Sequence, residues 1–288
     1  MKKIFFAVSL FLCSGVFAQH NSLFWKITGN GLQQPSYIYG TMHTSDSRVF
    51  NFGDSVMPCF ASAKAYAMEL DPKEAMNMSL ISKLIMGGSY SLKKMIPDTT
   101  YVFLDSVIKS KMGMGIKVFD NVAPIFTMTL FEAATMDLEE DKTPGKKEVL
   151  DMHFYKQAKR KKKKIIGIET VSEQIDALNV LSYEEQADLL VKEIELLQQD
   201  KAEGTDVVKF YLEQNLDSLA ANSADAQMPP KFYKALVTHR NARMAERAAV
   251  FIREQSTFIA VGALHLPGAD GVIELLRKKG FTVDSMKK

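Results

Sequence analysis

Four short apolar runs punctuate this chain, and between them lie long stretches with apolar residues at every third or fourth position. The runs are Ser36 to Gly40 (SYIYG), Ala65 to Met68 (AYAM), Ile165 to Ile168 (IIGI) and Thr257 to Val261 (TFIAV). Runs this short, with little polar alternation, predict strands buried on both faces. Another strand is expected at Phe281 to Asp284, behind a helix from Asp270 to Lys279 that Gly280 stops.

The intervening segments carry helical periodicity. A short helix is expected from Asp54 to Ala63, and several amphipathic segments fill 73–160, broken by Gly87-Gly88, Pro97, Gly113, Pro124 and Pro144-Gly145. Ser182-Tyr183-Glu184-Glu185 reads as a capping box, in which Ser182 caps the first turn and Glu185 reaches back; the helix it opens runs to about Gln199. A further helix is expected from Thr205 to about Ala221. Pro229-Pro230 then opens a long helix that ends near Glu254. Apolar strands joined by helical crossovers predict an α/β fold: a central mixed or parallel sheet flanked by helices, with a large helical insertion at roughly 73–160 and 182–254. A single domain over 19–288 accommodates it, and the 47% apolar content supplies a substantial core.

Residues 1–18 read as a signal peptide rather than as part of the fold. Lys2 and Lys3 precede an apolar Ile4 to Leu12, too short to span a bilayer, and Val16-Phe17-Ala18 resembles a cleavage site. An exported, periplasmic or secreted product is therefore expected. Leu12 stands where a lipoprotein signal before Cys13 needs a small residue, which disfavours lipid anchoring. No later run is long enough for a transmembrane segment. Without the signal one cysteine remains, Cys59, which excludes an intramolecular disulfide and argues against a cysteine-based metal cluster. The formal net charge is +2 and the signal supplies two of the positives, which argues against a nucleic-acid partner. The run Lys159 to Lys164 reads as a solvated helix C-terminus, with an anionic-surface patch as the alternative.

Each apolar run stops at a residue with chemistry. SYIYG leads to His43, AYAM to Glu69 and Asp71, IIGI to Glu169, and TFIAV through Gly262 to His265. In open α/β sheets ligands bind beyond the carboxyl ends of the strands, so residues scattered in sequence can meet at one rim. Gly40-Thr41-Met42-His43 and Gly262-Ala263-Leu264-His265 share one pattern, a glycine that lets the backbone turn and a histidine three positions later. Taken singly, such a histidine is more often a hydrogen-bonded structural residue. The pair, each behind a strand-like run, favours a shared site.

Two imidazoles and one or two carboxylates suit zinc, manganese, iron or cobalt and suit calcium poorly. With His43, His265 and Glu69 as metal ligands, a remaining position can hold water, whose pKa the metal lowers toward ~7. Glu169 is then the candidate general base or ligand-orienting group. Asp71-Pro72 reads equally as a helix start. Arg240 and Asn241 are candidates to clamp and orient substrate, although an exposed helix face accounts for them as well, and for His239 beside them. His153, in a lysine-rich helix, reads as a surface or packing residue, and the 16 methionines as core filling. The sequence lacks the G-x-S-x-G, G-x-G-x-x-G and Walker patterns, which argues against serine-nucleophile and common nucleotide-binding functions.

Taken together, Leu23-Phe24-Trp25-Lys26-Ile27, the first GTMH, Met68-Glu69-Leu70-Asp71, Ile168-Glu169-Thr170 with Gln174, Arg240-Asn241, and Gly262-Ala263-Leu264-His265-Leu266-Pro267-Gly268 before GVIELLRKKGFTV resemble the TraB/GumN family and its Tiki metalloprotease relatives. The resemblance covers nearly the whole mature chain. It implies a Tiki/ChaN/erythromycin-esterase-like fold and metal-dependent hydrolysis of a peptide or protein substrate, with manganese or cobalt favoured. Carried onto this sequence, it implies His43, Glu69 and His265 at the metal, Gly40 and Gly262 at the cofactor-binding turns, and Glu169, Arg240 and Asn241 as catalytic support. Met244 departs from the pattern, which has an aromatic residue there. Two other readings compete: a binding protein that captures a peptide, haem-iron or metal complex without hydrolysing it, and a purely structural partner.

Overall fold

The computed structural model describes residues 22–44, 46–75, 82–139, 149–198, 207–225 and 228–286, so the expected signal peptide lies outside the described residues. Six strands form one sheet: β1 (Phe24–Thr28), β2 (Ser36–Thr41), β3 (Ala65–Met68), β4 (Lys164–Gly167), β5 (Thr257–Gly262) and β6 (Thr282–Ser285), in the order β4-β3-β5-β2-β1-β6. The four apolar runs become the parallel half, with β5 between β3 and β2 and β4 outside β3. β1 pairs antiparallel with β2 and β6, which makes the sheet mixed.

β1 has no counterpart among the expected strands, because FWKIT is short and interrupted by Lys26. The turn behind it carried the overlooked signal. Gly29, Asn30 and Gly31 adopt φ of 76°, 46° and 80°, a left-handed run suited to Gly-Asn-Gly that folds β1 back onto β2.

Buried side chains of β2, β3 and β5, among them Ile38, Tyr66, Phe258 and Ile259, share one core with two helices, Leu150–Arg160 and His239–Glu254. Phe154 is central to that packing, 5.3 Å from Phe258, 5.5 Å from Tyr39 and 5.2 Å from Phe52 between ring centres. Full burial of each such side chain contributes roughly 1.5–3 kcal/mol. A second core lies among the helices Asp98–Met112, Pro124–Glu139 and Tyr183–Gln198, with Leu104, Ile108, Phe131, Leu190 and Ile194 inside it. The helical excursion is thus narrower than the expected 73–160 and 182–254: the Leu150–Arg160 and His239–Glu254 helices belong to the sheet layer.

Local signals explain the remaining differences. Ser182 and Glu185 form the expected reciprocal cap, with Ser182 N–H donating to Glu185 Oε2 at 2.8 Å and Glu185 N–H to Ser182 Oγ at 3.2 Å. The single helix expected over 205–221 is two, Val207–Leu212 and Leu216–Asp225, separated where Gln214 adopts φ 57°. In the basic run, Lys159 to Lys162 and Lys164 are exposed, in keeping with a solvated helix end. Lys163 is half-buried and donates to Ala61 O at 3.1 Å and to Ala63 O, completing the end of the Val56–Ser62 helix. Among the described residues no helix is long and apolar enough to cross a membrane.

Candidate active site

The strand order β4-β3-β5-β2 sets Glu169, Glu69, His265 and His43 in a row, each just beyond a parallel strand. β3 and β4 end side by side at Met68 and Gly167, opposite Ala260, and β2 and β5 end two residues farther on at Thr41 and Gly262. A six-residue or shorter strand cannot carry its flanking side chains far out of line, so register alone gathers the four groups at one rim.

Glu69 is the centre of the constellation. Gly262 N–H donates to its Oε1 at 2.7 Å, Arg240 Nη2 donates to its Oε2 at 2.7 Å, and His265 Nε2 lies 3.8 Å from Oε1. Its carboxyl is held down at about 2: burial opposes ionisation, and the neighbouring His265, Arg240 and His43 together with the Gly262 N–H outweigh it. A Cβ on residue 262 would stand 3.2 Å from Glu69 Oε1 and 3.6 Å from His265 Cδ2, so glycine keeps this contact open. Gly40 plays another part. A Cβ there would lie 2.8 Å from Leu266 Cδ1 and 3.1 Å from Ala263 Cα, and the Gly40 carbonyl accepts from Tyr211 OH at 2.8 Å. Gly40 therefore lets β2 pack against the turn that carries His265.

His265 is buried, and its Nδ1 lies 2.6 Å from Asn241 Oδ1. Asn241 Nδ2 donates to Asp270 O at 2.8 Å, so the amide presents its oxygen to the ring. The proton accordingly sits on Nδ1, and Nε2 faces Glu69 with its lone pair. Burial lowers the imidazole pKa.

His43 has 68% of its side chain exposed, with Nδ1 3.1 Å from Asp151 Oδ2. Asp151 Oδ1 accepts from Thr41 Oγ1 at 2.6 Å. The Asp151 carboxylate raises the His43 pKa to about 9, and Glu69 adds to the rise. Mutual electrostatic influence links His43, Glu69 and His265.

Glu169 has no exposed side-chain surface. Arg240 donates to it from Nε at 2.9 and 3.2 Å and from Nη2 at 2.7 Å, and Gln174 Nε2 and Arg243 Nη2 approach at 3.3 and 3.4 Å. With donors on both oxygens, Glu169 orients Arg240. Arg240 in turn bridges Glu169 and Glu69. Below it Thr170 and Glu173 form a reciprocal cap on the Val171–Leu178 helix, and Arg247 grips Glu173 and the Ile168 carbonyl.

Arg240 and Asn241 reach different targets because successive helical residues diverge by about 100°. Immediately before them Lys234–Thr238 forms a π-helical turn, whose extra residue shifts the register of everything after it. The pattern of apolar positions gives no warning of that turn. Asp71 Oδ1 accepts from Lys73 N–H at 3.0 Å and starts a short helical turn. His153 packs edge-on to Phe50, with ring centres 5.6 Å apart, and His239 is exposed. Met244 is buried in the main core.

Asp151 is the site residue that sequence reading passed over. Residues 151, 154, 155 and 158 are all buried in the Leu150–Arg160 helix, so Asp151 occupies the apolar stripe at i, i+3, i+4 and i+7. An acid on that stripe, two residues before the unremarkable His153, was the available clue.

Among the described residues no group of three or more His, Cys, Asp and Glu already stands at coordination spacing. The donor chemistry nevertheless fits a divalent ion: two imidazoles, each contacted at Nδ1 by an oxygen, and one ionised carboxylate. Donors about 2.1 Å from one ion lie about 3–3.4 Å apart. The 3.8 Å between His265 Nε2 and Glu69 Oε1 needs only a slight side-chain adjustment.

Comparison with known proteins gives the same region a family. The chain is 24% identical to metalloprotease TIKI1 of Danio rerio over 318 aligned positions, which cover 92% of this chain and 63% of that protein. It is 26% identical to metalloprotease TIKI2 of Danio rerio, covering 92% of this chain and 61% of the relative. An uncharacterized protein of Treponema pallidum (strain Nichols) is 22% identical over 89% of this chain and 80% of its own length. The chain thus spans less than two thirds of these two TIKI proteins. No solved structure matches it. The profile of the TraB/PrgY/gumN family matches residues 23–285, from the first strand through the last, and the chain belongs to that family.

Proposed function

We propose that this chain is an exported, metal-dependent hydrolase that cleaves peptide bonds, with His43, Glu69 and His265 as metal ligands. The observation that carries the proposal is the placement of His265: Asn241 fixes Nδ1 at 2.6 Å while Nε2 faces the ionised Glu69 at the end of the neighbouring strand. The similarity to proteins named metalloproteases supports the same reading. Manganese or cobalt is the first choice of ion, with zinc and iron as alternatives.

A bound divalent ion supplies Lewis acidity toward water and a scissile carbonyl. The protein's own groups prepare the place. Asn241 keeps the His265 tautomer that leaves Nε2 unprotonated. Gly262 N–H and Arg240 hold Glu69 ionised and oriented. Glu169 fixes Arg240, whose side chain retains 12% exposure and whose guanidinium is the group offered to a substrate oxygen.

The test is metal content and peptide turnover of the purified protein beside His43→Ala and His265→Ala. Near-stoichiometric metal and peptide cleavage in the parent, with both lost in folded variants, is expected. Turnover unchanged in either variant overturns the assignment. Peptide or metal-complex binding without product on prolonged incubation instead favours the capture function.

A further inference from the structure

We infer that Asp151 is the positioning residue for His43, holding the ring by Nδ1 so that Nε2 is the nitrogen presented to the site. The inference rests on the proposed metal-binding role of His43. Asp151 belongs to the Leu150–Arg160 helix, on the far side of the sequence from β2, yet it contacts that strand's end twice. Its Oδ1 accepts from Thr41 Oγ1 at 2.6 Å, and its Oδ2 lies 3.1 Å from His43 Nδ1. Both contacts converge on the same G-x-x-H turn.

A carboxylate on the apolar stripe of a helix is expensive to desolvate and persists only with compensation. Asp151 is 7% exposed, and Thr41 satisfies one of its oxygens. Oδ2 is a buried atom without an aligned hydrogen bond among the described residues, and His43 Nδ1 is its near neighbour. A small rotation of the His43 ring brings the N–H into line. The ring has freedom to make it, since 68% of the His43 side chain is exposed. The two histidines are therefore served by different groups: a neutral amide, Asn241, for the buried His265, and a carboxylate, Asp151, for the exposed His43. A carboxylate at Nδ1 also makes the opposite nitrogen a stronger donor.

The decisive variant is Asp151→Asn. It preserves size and can still accept from Thr41, but it turns an NH2 group toward His43 Nδ1. That pairing favours the tautomer with the proton on Nε2, the nitrogen meant to ligate. Thr41→Val is the companion: it frees Asp151 to rotate without changing its charge. Two readouts are needed on the full mature chain. Manganese and cobalt affinity, measured by calorimetry, should weaken about 10- to 100-fold in Asp151→Asn and less in Thr41→Val. Nitrogen-detected NMR of the metal-free protein, recorded above the His43 titration, should show the proton on Nδ1 in the parent and on Nε2 in Asp151→Asn. Thermal melting confirms that each variant is folded.

Parental metal affinity in folded Asp151→Asn overturns the positioning role, as does an unchanged His43 tautomer. If the parent binds no metal but the tautomer still switches, the metal-binding reading fails and the positioning of His43 stands. If an unfolded Asp151→Asn prevents comparison, Thr41→Val decides: affinity and His43 spectrum identical to the parent reject the inference.

Discussion

Replacing Arg240 by Met should destabilise the whole sheet layer, even though the substitution keeps the apolar stem of the side chain. The reason is Glu169. Its carboxylate has no exposed surface, and three of its contacts come from Arg240, at 2.7, 2.9 and 3.2 Å. Removing one member of a buried ion pair leaves the other charge uncompensated and typically costs about 3–5 kcal/mol. Gln174 at 3.3 Å and Arg243 at 3.4 Å remain as weaker partners, which places the expected loss near ~3 kcal/mol. For a domain of this size that corresponds to a fall in Tm on the order of 10 °C. The assay is thermal and urea unfolding of Arg240→Met, Glu169→Gln and the double variant. The double variant should recover a large part of the loss, because the amide needs no counter-charge. If Arg240→Met melts within about 2 °C of the parent, Glu169 is not an isolated buried charge and its role as the anchor of Arg240 is refuted.

Two further outcomes test other buried groups. Glu132 of the Pro124–Glu139 helix has its pKa raised to about 7, first by burial and then by the charge of Glu193. A raised acid contributes stability that is fully present below its unfolded pKa of 4.5 and is lost as pH rises through about 7. Glu132→Gln should therefore stabilise the protein at pH 8, by up to ~3 kcal/mol, and leave it near parental stability at pH 4.5; equal effects at both values, read from urea midpoints, would reject the assignment. Tyr66→Phe removes a fully buried hydroxyl that has no hydrogen-bond partner among the described residues, while keeping the packing of its ring on Phe60 at 5.9 Å. Its stability should be unchanged or about 1 kcal/mol higher, and a clear loss in calorimetric melting would mean that the hydroxyl has a partner.

The parallel half of the sheet was legible because β2, β3 and β5 are buried on both faces, and the edge strand β4, although only half-buried, is also an apolar run. SYIYG, AYAM, IIGI and TFIAV needed no alternation to be read, and each stopped within a residue or two of the observed end. β1 was not legible as a strand, because Lys26 interrupts it, although Gly29-Asn30-Gly31 marked its turn. Helix content was readable while helix continuity was not. The breaks at Gln214 and at the Lys234–Thr238 π turn depend on what those segments pack against, which local propensity does not encode.

The candidate site shows the same division between local and distant information. His43, Glu69, Glu169 and His265 could be found because each follows its strand directly, so the rule that ligands gather at strand ends sufficed. Their linear order across the rim could not, since it depends on β5 inserting between β2 and β3. Arg240 and Asn241 lie more than twenty residues before His265, yet a displaced helical register aims one at two carboxylates and the other at that histidine. Asp151 lies still farther from its target in sequence, and the packing of Phe154 and its neighbours against the sheet brings it to His43. Groups that supply donors can therefore be read from strand ends, whereas groups that orient those donors come from helices whose placement is a property of the core. Substitutions in the Phe154 layer should then reach the site through Asp151, which makes core packing on that side part of how His43 is held.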